Sequence, residues 1–260
     1  MLQGTRERTG GSSVDGVKLR RQTSVIAAAA AAVARHPVAF ARAVVRLPLE
    51  MEAAARIASL PVIELTSLIA GTEQIPIRAA SVESRHGWSL GAAEQFVLQA
   101  LIRGRVCRTV FEIGTFNGGT TRLLAESLPD DGRVWTMDLP PDVFDAVQSP
   151  AGFEGRSVGV AYRTSPAAGK IVQLLGDSRH FDFAPYEQSA DLVLVDAGHE
   201  YANGIVDTRT ALRIVRSGGV VVWDDFEPYW HGLVNGICDA MEGRTFGRLA
   251  GTSLAVYSHL

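Results

Sequence analysis

Residues 110–121, Val-Phe-Glu-Ile-Gly-Thr-Phe-Asn-Gly-Gly-Thr-Thr, constrain this chain more than any other stretch. Val110, Phe111 and Ile113 form the short apolar run of a strand covered on both faces. Gly114 and Gly118 carry no Cβ, so the backbone there can turn sharply and approach a ligand closely. Thr120 and Thr121 open a helix that carries Leu123, Leu124 and Leu128 and is stopped by Pro129. A strand, a glycine turn and a helix in that order form the unit at which open α/β sheets bind nucleotides. The next acidic strand end is Asp138, at 138 − 118 = 20 residues beyond Gly118. That is about the ~20-residue offset of a carboxylate that holds ribose hydroxyls.

The turn also restricts which nucleotide it suits. A dinucleotide fingerprint needs glycine two residues after the first, so that the backbone can reach the pyrophosphate. Phe116 stands there, which argues against NAD or FAD and suits a ligand with ribose and adenine but no phosphates. Glu112, just before the turn, adds negative charge that a cationic ligand tolerates. S-adenosylmethionine, a sulfonium with an amino-acid tail, fits both observations. The pattern resembles motif I of the class I S-adenosylmethionine-dependent methyltransferases. That resemblance implies a cofactor site at Glu112, Gly114, Thr115, Phe116, Gly118, Thr120, Asp138 and Leu139.

The rest of the chain is read against that unit. With 260 residues, 47% of them apolar, it can build one large α/β domain with an extension, or two small domains. A net charge of −3 supplies no basic field for nucleic acid. Cys107 and Cys238 offer neither a disulfide framework nor metal spacing, which points to a reduced, cytoplasmic protein. Residues 1–24, rich in Gly, Ser, Thr and Arg, read as a disordered arm. Residues 25–34 superficially match an export signal but are too short to span a bilayer, so an alanine-rich helix is expected. A helical extension covers 25–85, with Pro37 in a first turn and Pro48 starting a second helix. Its arginines, interleaved with apolar residues, suit a helix packed on its own domain, or on another subunit to make a homo-oligomer, rather than a membrane surface. No transmembrane segment is expected. A linker-like stretch follows over 71–87. Then Ala93, Phe96, Val97, Ala100 and Leu101 mark a helix that packs on the sheet ahead of the first strand.

Beyond Asp138 a long connection over 139–169 could cover the cofactor or the acceptor, with Tyr162 and Arg163 as candidate contacts. Strands follow over 171–175, 192–195 and 220–223, ending respectively in Gly176-Asp177-Ser178, Asp196 and Asp224-Asp225. Each alternates with a helix, so the predicted fold is α/β: a doubly wound, mostly parallel Rossmann-like sheet occupying 86–260. Two short strands, about 246–249 and 254–257, make the closing hairpin of the seven-stranded methyltransferase class. In that class the acid at the position of Asp177 commonly accepts a bond from adenine N6, which adds Asp177, Ser178 and the neighbouring strand-end Asp196 to the cofactor set. A solvated turn aspartate is the equal alternative for Asp177.

Asp196, Asp224 and Asp225 come from strands expected to be neighbours. Three carboxylates cannot share a small site without strong repulsion, which a divalent cation removes. Oxygen ligands without Cys select a hard ion, Mg²⁺ first. Residues 224 and 225 point to opposite faces of a straight strand, so both converge only if the chain turns there. His199, three residues past Asp196, is expected to face the same pocket and to serve as a base. The set Asp196-Ala-Gly-His199 with Asp224-Asp225 looks like the metal-dependent small-molecule O-methyltransferases. It matches the macrocin type and its cephalosporin-hydroxylase relatives better than the catechol type, which has Lys and Asn where His199 and Asp225 stand. The resemblance implies methyl transfer to a hydroxyl of a sugar, polyketide or phenol. Tyr229, Trp230, His231, His86 and Trp88 are candidates for the acceptor pocket. The other readings are a hydroxylase-like relative and a cofactor-binding or assembly protein without the chemistry.

Overall fold

The computed structural model describes residues 31, 33–69, 75–77, 90–147 and 157–259. The expected arm at 1–24, most of the 71–87 linker, His86, Trp88 and most of the alanine-rich run therefore lie outside the described residues.

By internal contacts the chain divides between Leu49 and Glu50. The division falls one residue past Pro48, within the helix α1 (Pro37–Ser59). The expected second helix at Pro48 is thus not a separate element. In the part before the division, Val38, Phe40, Val44, Val45 and Leu47 are all exposed.

The second unit is the α/β domain. In chain order it contains β1 (Val62–Ile63), α2 (Leu65–Leu68), α3 (Ala92–Gly104), β2 (Thr109–Ile113), α4 (Gly119–Ser127) and β3 (Arg133–Asp138). Next come α5 (Pro141–Val147), α6 (Val160–Arg163), β4 (Ile171–Leu175), β5 (Ala190–Val195) and α7 (Tyr201–Ile214). The chain closes with β6 (Val215–Trp223), α8 (His231–Ala240), β7 (Gly247–Leu249) and β8 (Ala255–Ser258). Among the described residues the sheet has eight strands in the order β1-β7-β8-β6-β5-β2-β3-β4. β8 runs antiparallel to β6 and β7, and the other pairs are parallel.

Seven of these strands are those read from the sequence. The eighth is β1, two residues from the segment expected to be helical, which pairs with the outer edge of β7. A two-residue strand carries no alternation from which to read it. β6 begins at Val215, five residues before the expected start, with an irregular register against β5 between Ala190 and Leu192. The helix before it accordingly stops at Ile214.

Alternation along each central strand feeds two cores. Val110, Leu192, Leu194, Val220 and Val222 pack on one face with Leu98, Leu101 and Leu124. Phe111, Ile113, Val193, Val195, Val221 and Trp223 pack on the other with Ile214, Val234 and Ile237. With both faces covered, the strands are buried apolar runs, as parallel sheets require. The strand order reverses between β5 and β2, and crevices of such sheets open at the carboxyl ends there.

Candidate functional site

Hydrogen bonds bring the strand ends level at that reversal. Gly114 N–H donates to the Met137 carbonyl (2.9 Å), Asp196 N–H to the Ile113 carbonyl (2.8 Å) and Asp224 N–H to the Val195 carbonyl (3.0 Å). Gly114 has φ +105°, and a Cβ there would lie 1.7 Å from the Asp196 carbonyl oxygen. The glycine turn and the Asp196 strand end therefore touch, backbone to backbone. Gly118 (φ +82°) caps α4, with Thr120 half-buried in its first turn.

Phe116 also adopts positive φ, at 48°. A non-glycine residue there costs roughly 1–2 kcal/mol, so its surroundings must hold it. Its N–H donates to Asp138 Oδ2 (2.7 Å), its carbonyl accepts from Gly159 N–H (2.8 Å), and its ring packs with Leu139 against Phe144 and Val158. Asp138 also accepts from Thr115 N–H (3.0 Å) on Oδ2 and from Leu139 N–H (2.7 Å) on Oδ1. Asp138 thus braces the turn. Each carboxylate oxygen has two lone pairs, so Oδ1 retains capacity for a ligand hydroxyl. Burial pushes its pKa up, and those three backbone donors oppose the rise.

Glu112 is fully buried. Thr121 Oγ1 (2.5 Å) and Thr136 Oγ1 (2.6 Å) both donate to its Oε2. Oε1 has no hydrogen-bond partner. Burial pushes the carboxyl up to about 8, against the two threonine hydroxyls.

Asp196, Asp224 and Asp225 bring one carboxylate oxygen each to within 4.8 Å of one another. The turn that the sequence required is present: Asp225 has φ 54°, a left-handed conformation that Asp tolerates better than most residues. Ser253, in the β7–β8 turn, supports the pair. Its carbonyl accepts from Phe226 N–H (2.9 Å), and its hydroxyl lies 3.2 Å from Asp224 Oδ1 and 3.3 Å from Glu94 Oε1. Burial, then Asp224 and Asp225, hold the Asp196 carboxyl well above its usual range. Burial and Asp225 likewise raise Asp224. Three half-buried carboxylates that repel one another are a donor set suited to a hard divalent cation.

His199 joins this cluster through Asp225, with Nε2 2.8 Å from Oδ2. Its ring stacks on Trp230 at 3.8 Å and 18°. Tyr229 meets Trp230 edge-on and is exposed. The sequence placed His199 beside Asp196; the hydrogen bond goes to the other end of the cluster.

The contacts of Asp177 and Ser178 lie elsewhere. Asp177 binds Arg179 through both oxygens, and this holds its pKa down at about 2. These contacts close its own turn. Ser178 lies near Asp207 of α7 and favours its ionised form, yet neither Asp207 oxygen has a partner in hydrogen-bond geometry. Asp207 is 1% exposed, and burial pushes it up to about 6.

Residues 111–226 match the family model described as a methyltransferase domain. Over that span the chain is similar to a methyltransferase domain. Its match spans β2 through the Asp224-Asp225 turn, and so contains both halves of the site. Caffeoyl-CoA O-methyltransferase 1 of Nicotiana tabacum is 26% identical over 156 residues, 59% of this chain and 61% of that protein. The chain thus spans about three fifths of the length of the curated relatives it matches. A candidate caffeoyl-CoA O-methyltransferase from Staphylococcus aureus superposes with a TM-score of 0.52 at 14% identity, over 66% of this chain and 85% of that one. A candidate O-methyltransferase from Klebsiella pneumoniae gives 0.50 at 16%, over 67% and 84%. At those identities the likeness shows the fold, a doubly wound α/β sheet. Among the described residues no helix is long and apolar enough to cross a membrane.

Sequence reading missed Thr136, Gln173, Glu94 and Ser253. Each is a polar residue whose role depends on a partner far along the chain. Glu94 and Ser253 stand 159 residues apart, and no local pattern links them.

Proposed function

We propose that the chain moves a methyl group from S-adenosylmethionine to a hydroxyl of a small molecule, with a divalent cation at the three aspartates. One observation carries the proposal: the Asp196–Asp224–Asp225 cluster adjoins the glycine turn through the Gly114–Asp196 contact. A methyl donor at the turn and a hydroxyl at the aspartates would then be neighbours. The methyltransferase family and O-methyltransferase relatives support the reaction class. The relatives named for caffeoyl-CoA favour a phenolic acceptor among the sugar, polyketide and phenol-like candidates.

Asp138 would take the ribose hydroxyls, and Glu112 Oε1 the ammonium of the cofactor's amino-acid tail. Asp196, Asp224 and Asp225 would hold Mg²⁺ or another hard cation, which supplies a lowered pKa to an acceptor hydroxyl. His199 would take that proton. An Asp225 carboxylate accepting from Nε2–H selects the tautomer whose Nδ1 carries the lone pair, so Nδ1 is the basic atom. Trp230 holds the plane of the ring.

Transfer of labelled methyl groups to a panel of phenols, sugars and polyketides, with and without Mg²⁺, tests the reading. Turnover on a phenol that vanishes on chelation is expected. Full activity in excess EDTA, with the metal shown to be gone, overturns the metal site. His199→Ala is expected to lower kcat roughly 10²–10⁴-fold at saturating Mg²⁺. Full recovery by excess Mg²⁺ would show that His199 only orients Asp225.

A further inference from the structure

The geometry points to Gln173 as a positioning residue: it sets the direction of a buried hydrogen-bond chain that ends on Glu112 Oε2, leaving Oε1 to receive the cofactor's ammonium. This rests on the S-adenosylmethionine reading above and concerns residues that none of the family resemblances assigns.

The chain runs across three strands. Tyr162 O–H of α6 donates to Gln173 Oε1 (2.7 Å) on β4. Gln173 Nε2 reaches Thr115 Oγ1 at 2.9 Å. Thr115 Oγ1 lies 2.7 Å from Thr136 Oγ1, and Thr136 Oγ1 donates to Glu112 Oε2 at 2.6 Å. The amide orientation is fixed by what surrounds it. The same nitrogen faces the Thr136 (3.2 Å) and Leu174 (3.0 Å) carbonyls, which can only accept, while the oxygen faces a phenol that donates.

Direction follows from counting hydrogens. Thr136 donates its one hydrogen to Glu112, so it accepts from Thr115, which in turn accepts from the amide. An acceptor at 173 would draw the Thr115 hydrogen away, so the amide donor keeps the chain running toward Glu112. With Thr121 also donating there, Oε2 takes two donors and Oε1 none. A buried carboxyl with one oxygen satisfied and the other bare presents a single acceptor, suited to a cationic donor.

Tyr162 ties the chain to the turn itself. Its ring lies against Gly118 and Gly159, where a Cβ on either would fall 2.6 Å from a ring carbon. Gly159 and Ala161 N–H donate to the Phe116 and Asn117 carbonyls, each at 2.8 Å. The segment over the turn thus also holds the phenol that orients Gln173.

The test compares two ligands on the full chain by calorimetry. S-adenosylhomocysteine carries the amino-acid tail, and 5′-methylthioadenosine lacks it. Gln173→Glu offers Thr115 an acceptor in place of a donor, so the hydroxyls turn round and Oε2 loses Thr136. Gln173→Met removes the director, and Tyr162→Phe removes the group that holds it. S-adenosylhomocysteine is expected to weaken roughly tenfold or more in Gln173→Glu, because a carboxylate short of one charge-assisted donor is costlier to ionise opposite the ammonium. The other two variants should show smaller losses. Binding of 5′-methylthioadenosine should stay within twofold in all three. Equal losses for both ligands would mean that Gln173 merely supports the fold and would overturn the proposal, as would no loss. Should Gln173→Glu fail to fold, the other two variants decide. If the native chain binds neither ligand, the cofactor reading itself falls, an outcome distinct from both.

Discussion

Cofactor binding should exchange protons with solvent, and the direction of exchange should reverse with pH. Burial pushes Glu112 up to about 8 in the ligand-free chain. One unit below that value, at pH 7, roughly nine-tenths of the carboxyl is protonated. The cofactor's amine, with an α-amino pKa of about 8, is mostly cationic there. Pairing carboxylate with ammonium must then release close to one proton at pH 7. At pH 9 the carboxylate is already ionised and the amine mostly neutral, so binding must take up about one. Affinity should peak near pH 8 and fall up to about tenfold per unit below it, as a single-proton linkage requires. Calorimetry in buffers of different ionisation enthalpy at pH 7 and pH 9 measures both quantities. Asp138 and Asp196, also raised by burial, lie at the ends of the strands flanking β2. Their contribution persists in Glu112→Gln, so the native-minus-variant difference isolates Glu112. The same release in native and Glu112→Gln, or uptake at pH 7, would refute the assignment of the ammonium to this carboxyl.

Two further outcomes follow from burial and sterics. Asp207, raised to about 6 from 3.8, is penalised as it ionises, so native stability should fall as pH rises from about 4 through 6. Two units correspond to roughly 3 kcal/mol at most. Asp207→Asn should therefore stabilise the chain by about 1–3 kcal/mol at pH 8 and by nothing near pH 4 in denaturant titrations; equal stability at pH 8 would contradict this. Gly114→Ala must push apart the β2 and β5 ends and should cost at least ~4 kcal/mol, with a large drop in Tm. Gly169→Ala, with nothing within 4 Å of its Cβ, should change Tm by a few degrees at most.

Much of this architecture was legible because local and global signals agree. Each central strand is an apolar run that ends in an acid or a glycine, so strand ends and candidate ligands could be read together. The turn at Asp225 was legible as a necessity: without it, neighbouring aspartates face apart, and the structure meets that condition with φ 54°. Phe116 was read as excluding a dinucleotide from its bulk alone. Its left-handed backbone, held by Asp138 and Gly159, depends on contacts with no local signature. Gln173 lies in an ordinary strand sequence, and its importance comes from Tyr162, Thr115 and two carbonyls. Asp177 was different, since Arg179 two residues on was a visible partner within the same turn.

The pairing of β1 with β7 has a consequence in time. Pro61 and Ile63 carbonyls accept from Arg248 and Ala250 N–H at 3.0 and 3.1 Å, closing the sheet at that edge. Ile63 and its register partner Leu249 are 249 − 63 = 186 residues apart. At a synthesis rate of about 5–20 residues per second, the first of these partners waits roughly 10–40 s for the second to be made. Through that interval the segment at 61–63 has no strand to join, while β2 to β5 can already assemble the glycine turn. The edge strand is thus among the first parts of the domain to be synthesised and among the last to find its place.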